Sequence, residues 1–139
     1  MTAARRWLID KSALRPGIPA FSDVLIPRIA GGRVHVCLIT ELEVGYSARS
    51  PHDLERIKRD VLGPLISLIT PIAAESRARH VQEELVARGQ HRAVAIPDLL
   101  VAATAEAEGL TVLHYDRDFD LISEITGQPM EWVIPRGTA

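Results

Sequence analysis

Ile96-Pro97-Asp98-Leu99-Leu100-Val101-Ala102-Ala103-Thr104-Ala105-Glu106-Ala107-Glu108-Gly109-Leu110-Thr111-Val112-Leu113-His114-Tyr115-Asp116 is the stretch that decides the fold. Pro97 suits the first turn of a helix and Gly109 suits the residue after its end, so the spacing predicts a helix from Asp98 to Glu108. Ala102, Ala103, Ala105 and Ala107 let that helix lie close on a neighbouring layer. Thr111-Val112-Leu113-His114 then reads as a buried strand. Two acids bracket the unit, Asp98 where the helix begins and Asp116 just beyond the strand.

The same alternation extends in both directions. Trp7-Leu8-Ile9 reads as a short strand with Asp10 at its carboxyl end, before a loop containing Pro16, Gly17 and Pro19. A helix is expected over 22–30, stopped by Gly31-Gly32, and a second strand over 34–39. Thr40 with Glu43 three residues later fits a capping box opening the next helix. Ser50-Pro51 breaks it, and a further helix runs through Asp53, Leu54, Ile57, Lys58 and Val61 to Gly63-Pro64, which predicts a helical hairpin. A strand over 65–70, a helix over 71–88, a polar loop over 116–120 entering a short helix, and an edge strand at Trp132-Val133-Ile134 complete the pattern. Strands alternating with helices predict an α/β fold, an α/β/α sandwich around a mostly parallel sheet. A single domain over 1–139 is expected, with only the last few residues loose.

Composition narrows the function. With 139 residues, 16 Lys plus Arg against 18 Asp plus Glu and a net charge of −2, no basic field covers the molecule, and any nucleic acid must be held locally. The lone Cys37 lies in an apolar run and reads as core packing in a reducing cytoplasm. No apolar run is long enough to span a bilayer, so no membrane is expected. Two Tyr, two Phe and two Trp make a broad base-stacking platform improbable.

The chemistry-bearing pattern is acidic. Asp10, Glu41 or Glu43, Asp98, and Asp116 with Asp118 all recur where a strand ends or a helix begins, positions that share one edge of an open parallel sheet. Helix dipoles aimed at that edge favour each carboxylate and lower its pKa, whereas carboxylates crowded together repel. A divalent cation relieves the repulsion, and an oxygen-only set with no Cys cluster or paired His motif favours magnesium or manganese over zinc. Such an ion activates water and stabilises charge on a phosphate, which makes phosphodiester hydrolysis the leading chemistry.

Each acid also has an ordinary explanation. Asp10 can simply end a strand, with Ser12 bonding its carboxylate; Glu43 can be a cap; Asp98 can serve the helix dipole; Asp116, Asp118 and Asp120 can be a solvated loop. Their coincidence along one edge carries the hypothesis. His114, two residues before Asp116, is placed near enough to touch substrate. Arg5, Arg6, Arg15, Arg88, His91 and Arg92 lie near the same edge and are candidates for phosphate contacts. A phosphatase of the haloacid dehalogenase type needs Asp two residues after the first acid, and Ser12 stands there. A non-catalytic binding module would be signalled by a missing acid, and none is missing.

Leu8-Ile9-Asp10-Lys11-Ser12-Ala13, Ile39-Thr40-Glu41-Leu42-Glu43-Val44-Gly45, Ile96-Pro97-Asp98 with the helix after it, and Leu113-His114-Tyr115-Asp116-Arg117-Asp118-Phe119 occur in the order found in one family. The chain resembles the PIN-domain ribonucleases, specifically the VapC toxins of type II toxin-antitoxin modules. The resemblance implies Mg²⁺- or Mn²⁺-dependent endoribonuclease activity leaving a 5′-phosphate and a 3′-hydroxyl. It further implies Asp10, Asp98 and Asp116 as metal-site acids, Glu43 or Glu41 as the remaining acid, and Asp118 as an auxiliary. Thr40-x-x-Glu43 matches one form of the family's second motif and Glu41-Leu42-x-x-Gly45 another; Glu43 is preferred. His114 departs from the family's usual Thr. The implied partners are RNA, a homodimer mate, and a VapB-type antitoxin covering the acidic cleft and the hairpin, with Val44, Leu54 and Ile57 candidates for the groove.

Overall fold

The computed structural model of the chain describes residues 4–139. Five strands, β1 (Trp7–Ile9), β2 (Val34–Cys37), β3 (Ile66–Leu68), β4 (Thr111–His114) and β5 (Met130–Trp132), form one sheet in the order β3-β2-β1-β4-β5. Every pairing is parallel, including Ile9 against Leu113 at the centre. The helices are α1 (Pro19–Ala30), α2 (Leu38–Tyr46), α3 (Pro51–Ile57), α4 (Ile72–Ala87), α5 (Ile96–Glu108) and α6 (Asp118–Thr126).

Strand side chains alternate between two buried layers, as the pleat requires when both faces are covered. Leu8, Cys37 and Val112 point into a core with Ala74, Ala78 and Leu85 of α4, Ala102 and Ala105 of α5, and Phe119 and Ile122 of α6. Trp7, Ile9, Val34, Val36 and Leu113 point the other way, onto Phe21 and Leu25 of α1 and onto Val133 and Ile134. The alanines of α4 and α5 allow these two helices to pack against each other.

The chain builds outward from β1 in one direction, through β2 to β3, and then in the other, through β4 to β5. The order therefore reverses between β1 and β4. At such a switch point the connections leave on opposite sides and open a crevice beyond the carboxyl ends of the strands. Asp10 follows β1 and Asp116 lies two residues after β4, so both stand at its mouth.

Some elements differ from the sequence expectation. β2 ends at Cys37 and α2 begins at Leu38, with Cys37 at the cap position and no side-chain cap bond, so the Thr40–Glu43 capping box does not form. Thr40 is instead buried in the first turn, its hydroxyl 3.9 Å from Cys37 Sγ. α1 starts at Pro19, earlier than expected, because a first-turn proline has no helical hydrogen bond to lose. β5 is Met130–Trp132, earlier than Trp132–Ile134: the ladder aligns Met130 with Val112, and Val133 and Ile134 are buried by the α1-side core.

After α3 the chain continues as a π-helical turn over Lys58–Leu62 and ends at Gly63. A Cβ at Gly63 would stand 2.7 Å from the Arg59 carbonyl oxygen, whereas one at Gly45 in α2 would meet only Leu54 Cδ1 at 3.4 Å. Gly63→Ala is expected to cost about 1–3 kcal/mol through forced backbone movement. Gly45→Ala should be neutral or raise stability by up to about 1 kcal/mol through helix propensity. Urea denaturation of the two variants checks the contrast.

Candidate active site

The site is assembled by the backbone before any side chain is considered. The Asp10 N–H continues the β1–β4 ladder by donating to the Leu113 carbonyl at 2.9 Å, which seats Asp10 beside the loop after β4. Asp10 is 2% exposed. Its Oδ2 accepts from the Ser12 N–H at 3.0 Å and the Ser12 hydroxyl at 2.6 Å, capping the 3₁₀ turn Lys11–Ala13. Ser12 Oγ in turn accepts the Tyr115 N–H at 2.8 Å, so one hydroxyl joins the loops after β1 and β4. Asp10 Oδ1 is buried with no hydrogen-bond partner.

The other acids arrive from α5 and α6. Asp98 lies in the first turn of α5 and is 5% exposed, with Oδ2 buried and unpartnered. Asp116 Oδ1 accepts the Asp118 N–H at 2.9 Å, and Asp118 Oδ2 accepts the N–H of Ala95, the cap residue of α5, at 2.9 Å. Asp118 thus ties the start of α5 to the start of α6. Carboxylate oxygens of Asp98, Asp116 and Asp118 lie within 4.8 Å of one another. Asp120 is outside the pocket, where it accepts from Trp132 Nε1 at 3.1 Å.

Burial overrides the helix dipole in setting the protonation of this cluster. The Asp98 carboxyl is pushed up to about 9, first by desolvation, then by the Asp118 carboxyl beside it and the charges of Asp10 and Asp116. Asp10 is raised by burial, with Ser12's two hydrogen bonds pulling against that and the charges of Glu43 and Asp116 adding to it. Asp116 is also raised, chiefly by burial, against the lowering effect of the Asp118 N–H. The expectation of lowered values is therefore reversed for these three acids. Asp98, Asp116 and Asp118 form one cluster, and the charges of Asp10 and Glu43 act on its neighbours from the end of β1 and from α2.

Glu41 and Glu43 are two residues apart on α2, roughly 200° around a helix, so they face different ways. Glu41 Oε1 accepts the Ser67 hydroxyl at 3.0 Å, on the β3 side. Glu43 Oε2 lies 3.4 Å from Lys11 Nζ, and its Oε1 is buried and unpartnered. The fold brings Glu43 to Asp10 and leaves Glu41 outside the pocket.

His114 does not reach a position where a ligand could touch it. It is fully buried, with its ring between Phe119 and Trp132 at centroid distances of 4.9 Å each. Nδ1 accepts the Asp116 N–H at 3.1 Å, so the ring is the neutral Nε2–H tautomer, and burial pulls its pKa down to about 4. It orients the Asp116 backbone from behind. Sequence reading missed this, and it also missed the Ser12–Tyr115 tie, whereas the recurrence of acids at strand ends and helix starts did point to the carboxylate cluster.

The donor set suits a hard divalent cation. Asp10 Oδ1, Asp98 Oδ2 and Glu43 Oε1 are buried oxygens without a hydrogen-bond donor, and Lys11 is the cation paired with this group. His114 commits its Nδ1 to the Asp116 N–H and Cys37 is sequestered in the core, and the cluster found among the described residues consists of carboxylates, not the soft ligands that favour zinc.

Beside the pocket, α2, α3 and the turn before β3 enclose an apolar groove of about 650 Å³, lined in part by Leu38, Leu42, Leu54, Leu62 and Leu65. Leu54 lines it as expected. Ile57, 5% exposed, belongs to the core instead, and Val44 is not among the lining residues. No helix among the described residues is long and apolar enough to cross a membrane.

A PIN domain model matches residues 18–125, a span that takes in Glu43, Asp98, Asp116 and Asp118. Ribonuclease VapC21 of Mycobacterium tuberculosis is 46% identical over 138 residues, covering 96% of this chain and 98% of the relative. Ribonuclease VapC51 of the same organism is 44% identical over 137 residues, with 97% and 98% covered. Among solved structures, the DNA-bound VapBC of Salmonella typhimurium superposes with a TM-score of 0.77 at 18% identity, covering 94% of this chain and all of the matched one. The VapBC2 complex of Rickettsia felis, bound to a promoter DNA fragment, gives 0.74 at 16% identity, with 91% and 98% covered. With the parallel sheet, its switch-point acids and these similarities together, the chain belongs to the PIN-domain family, among the VapC ribonucleases.

Proposed function

We propose that this protein is the toxin of a type II toxin-antitoxin pair, a cytoplasmic Mg²⁺- or Mn²⁺-dependent endoribonuclease that is held inactive by a VapB-type antitoxin. The observation that carries the proposal is the set of buried, donorless carboxylate oxygens on Asp10, Asp98 and Glu43 at the switch point, next to Asp116 and Asp118. Full-length similarity to curated VapC ribonucleases supports RNA as the substrate.

Asp10, Asp98 and Asp116 would hold the cation, which when bound supplies charge neutralisation at a phosphodiester and makes water a better nucleophile. The remaining work falls to the chain. Ser12 fixes the Asp10 carboxylate by two hydrogen bonds, leaving Oδ1 toward the pocket. His114 and the Asp118 N–H hold Asp116 from its backbone and its Oδ1. Asp118 spends its Oδ2 on Ala95 and so keeps Asp98 and Asp116 in register. Glu43 offers Oε1 to take a proton from the attacking water, while Lys11 steadies Oε2. Attack by water, not by the ribose 2′-hydroxyl, gives a 5′-phosphate and a 3′-hydroxyl.

The groove between α2 and α3 is the proposed seat of the antitoxin's C-terminal segment, and a homodimer the proposed toxin assembly. Its apolar lining, with Leu38 and Leu42 both more than half exposed, suits an amphipathic partner segment.

Purified protein should cleave RNA with Mg²⁺ present and stop on chelation. Asp98→Asn and Glu43→Gln should each lower kcat by at least about 10²-fold, more than loss of a supporting residue around a metal. Glu41→Gln should stay within about threefold, because its carboxylate faces Ser67. Equal loss in Glu41→Gln and Glu43→Gln, or cleavage that survives both chelation and Asp98→Asn, refutes the assignment.

Stability should report the same pocket independently of turnover. The folded Asp98 carboxyl sits near 9 against an ordinary 3.8, so the metal-free folded state binds its proton more tightly than the unfolded chain does. That contribution is fully present below pH 3.8 and is lost as pH rises toward 9. The Tm in chelator should therefore fall between pH 5 and 9 more steeply in the wild type than in Asp98→Asn. Added Mg²⁺ should raise the wild-type Tm most at the alkaline end, as thermal scans would show.

A further inference from the structure

A cation already immobilised by the fold, and left without a carboxylate, is equipped to hold an anion. Arg28, Arg56 and Arg77 each sit on an acid. Arg15 does not. Its Nε donates to the Ser12 carbonyl at 3.2 Å, and its guanidinium carbon lies 5.2 Å from the Phe21 ring centroid and 5.3 Å from that of Tyr115. Those two rings meet edge to face at 5.4 Å, and Phe21 is fully buried, so the platform under the cation is rigid. The side chain is nonetheless on the surface, and its terminal amino groups have no acceptor among the described residues.

Its location gives the arrangement meaning. Of the two residues that anchor Arg15, Ser12 holds the Asp10 carboxylate, and its bond with Tyr115 joins the loops after β1 and β4. The guanidinium is therefore referenced to the acid pocket through two hydrogen bonds, yet stacking keeps it off the acids themselves. A polyanion approaching several carboxylates gains from a fixed cation on the loop that follows Asp10, and the planar fork of arginine matches two phosphate oxygens at once.

We propose that Arg15 forms a phosphate subsite, in which its Nη groups bind a backbone phosphate of single-stranded RNA adjacent to the linkage that enters the acid pocket. The inference rests on the ribonuclease reading and adds a binding residue to it. A phosphate contact positions the strand without reading its sequence, so Arg15 governs KM and leaves base preference alone.

The test measures binding of a short fluorescein-labelled single-stranded RNA in chelator across a salt series, and KM and kcat with Mg²⁺. Arg15→Ala should weaken binding and raise KM by about tenfold, as for loss of a charge-assisted pair, with kcat within about twofold. The slope of log affinity against log salt should become shallower by about 0.7, the value for one phosphate contact on a single strand. Arg15→Lys, which keeps the charge but not the fork, should restore the slope while recovering affinity only in part. Arg33→Ala is the control: Arg33 also stacks on an aromatic ring, Trp7 at 5.8 Å, but it precedes β2 at the opposite edge of the sheet, and its loss should leave slope and KM unchanged. An Arg15→Ala protein indistinguishable from a wild type that binds and cuts RNA overturns the subsite alone, as does an equal effect of Arg33→Ala. A wild type that neither binds nor cuts RNA overturns the ribonuclease reading and the subsite together.

Discussion

Like charge held out of water is the constraint around which this molecule is organised. Two unit charges about 4 Å apart repel by about 4 kcal/mol at the effective dielectric of a protein near its surface, and Asp98, Asp116 and Asp118 approach one another on that scale. Asp10 and Asp98 are almost wholly buried in addition. The chain answers with fixed donors: Ser12 on Asp10, the Asp118 N–H on Asp116, and the Ala95 N–H on Asp118. These satisfy one oxygen of each carboxylate concerned. Oxygens left bare on Asp10, Asp98 and Glu43 are what a cation or a shared proton must stabilise, and for Asp98 the metal-free answer is the proton.

Such a cluster persists only on a frame that cannot relax to separate the charges. The frame is the pair β1–β4, whose side chains alternate into two packed layers so that a shift of either strand by one residue would exchange its buried faces. Ser12 locks the loops beyond these strands, accepting from Tyr115 while donating to Asp10. His114, packed between Phe119 and Trp132, extends the core to the edge of the pocket and ends in an acceptor for the Asp116 N–H. The polar site is therefore an outgrowth of the hydrophobic core.

Elements marked by local signals were legible in the sequence. Pro97 and Gly109 bracketed α5, short apolar runs gave β1, β2 and β4, and the acids at strand ends and helix starts pointed to one edge. What failed depended on distant partners. Thr40 has the chemistry of a cap and the spacing of a capping box, but the helix starts earlier because the residues before it, Leu38 and Ile39, continue from the sheet directly into the helix. Two residues apart on this helix, Glu43 meets Lys11 and Glu41 meets Ser67. His114 has the side chain of a catalytic group, yet its place on an inner strand beside two aromatic residues makes it a buried acceptor. Burial itself, which raises Asp10, Asp98 and Asp116 where the helix dipole alone would lower them, is a property of the assembled layers and has no signature in any single motif.

Helix α2 links the pocket to the surface around it. Glu43 projects from one side toward Asp10, while Leu38, Leu42 and Glu41 line the groove against α3 on the other. Leu38 and Leu42 are spaced one turn apart and are more than half exposed, so the groove side is apolar where the pocket side is charged. A segment filling the groove would bury that stripe against the same helix that positions the second acid. A helix little more than two turns long thus carries an acid of the pocket on one side and the apolar stripe of the groove on the other.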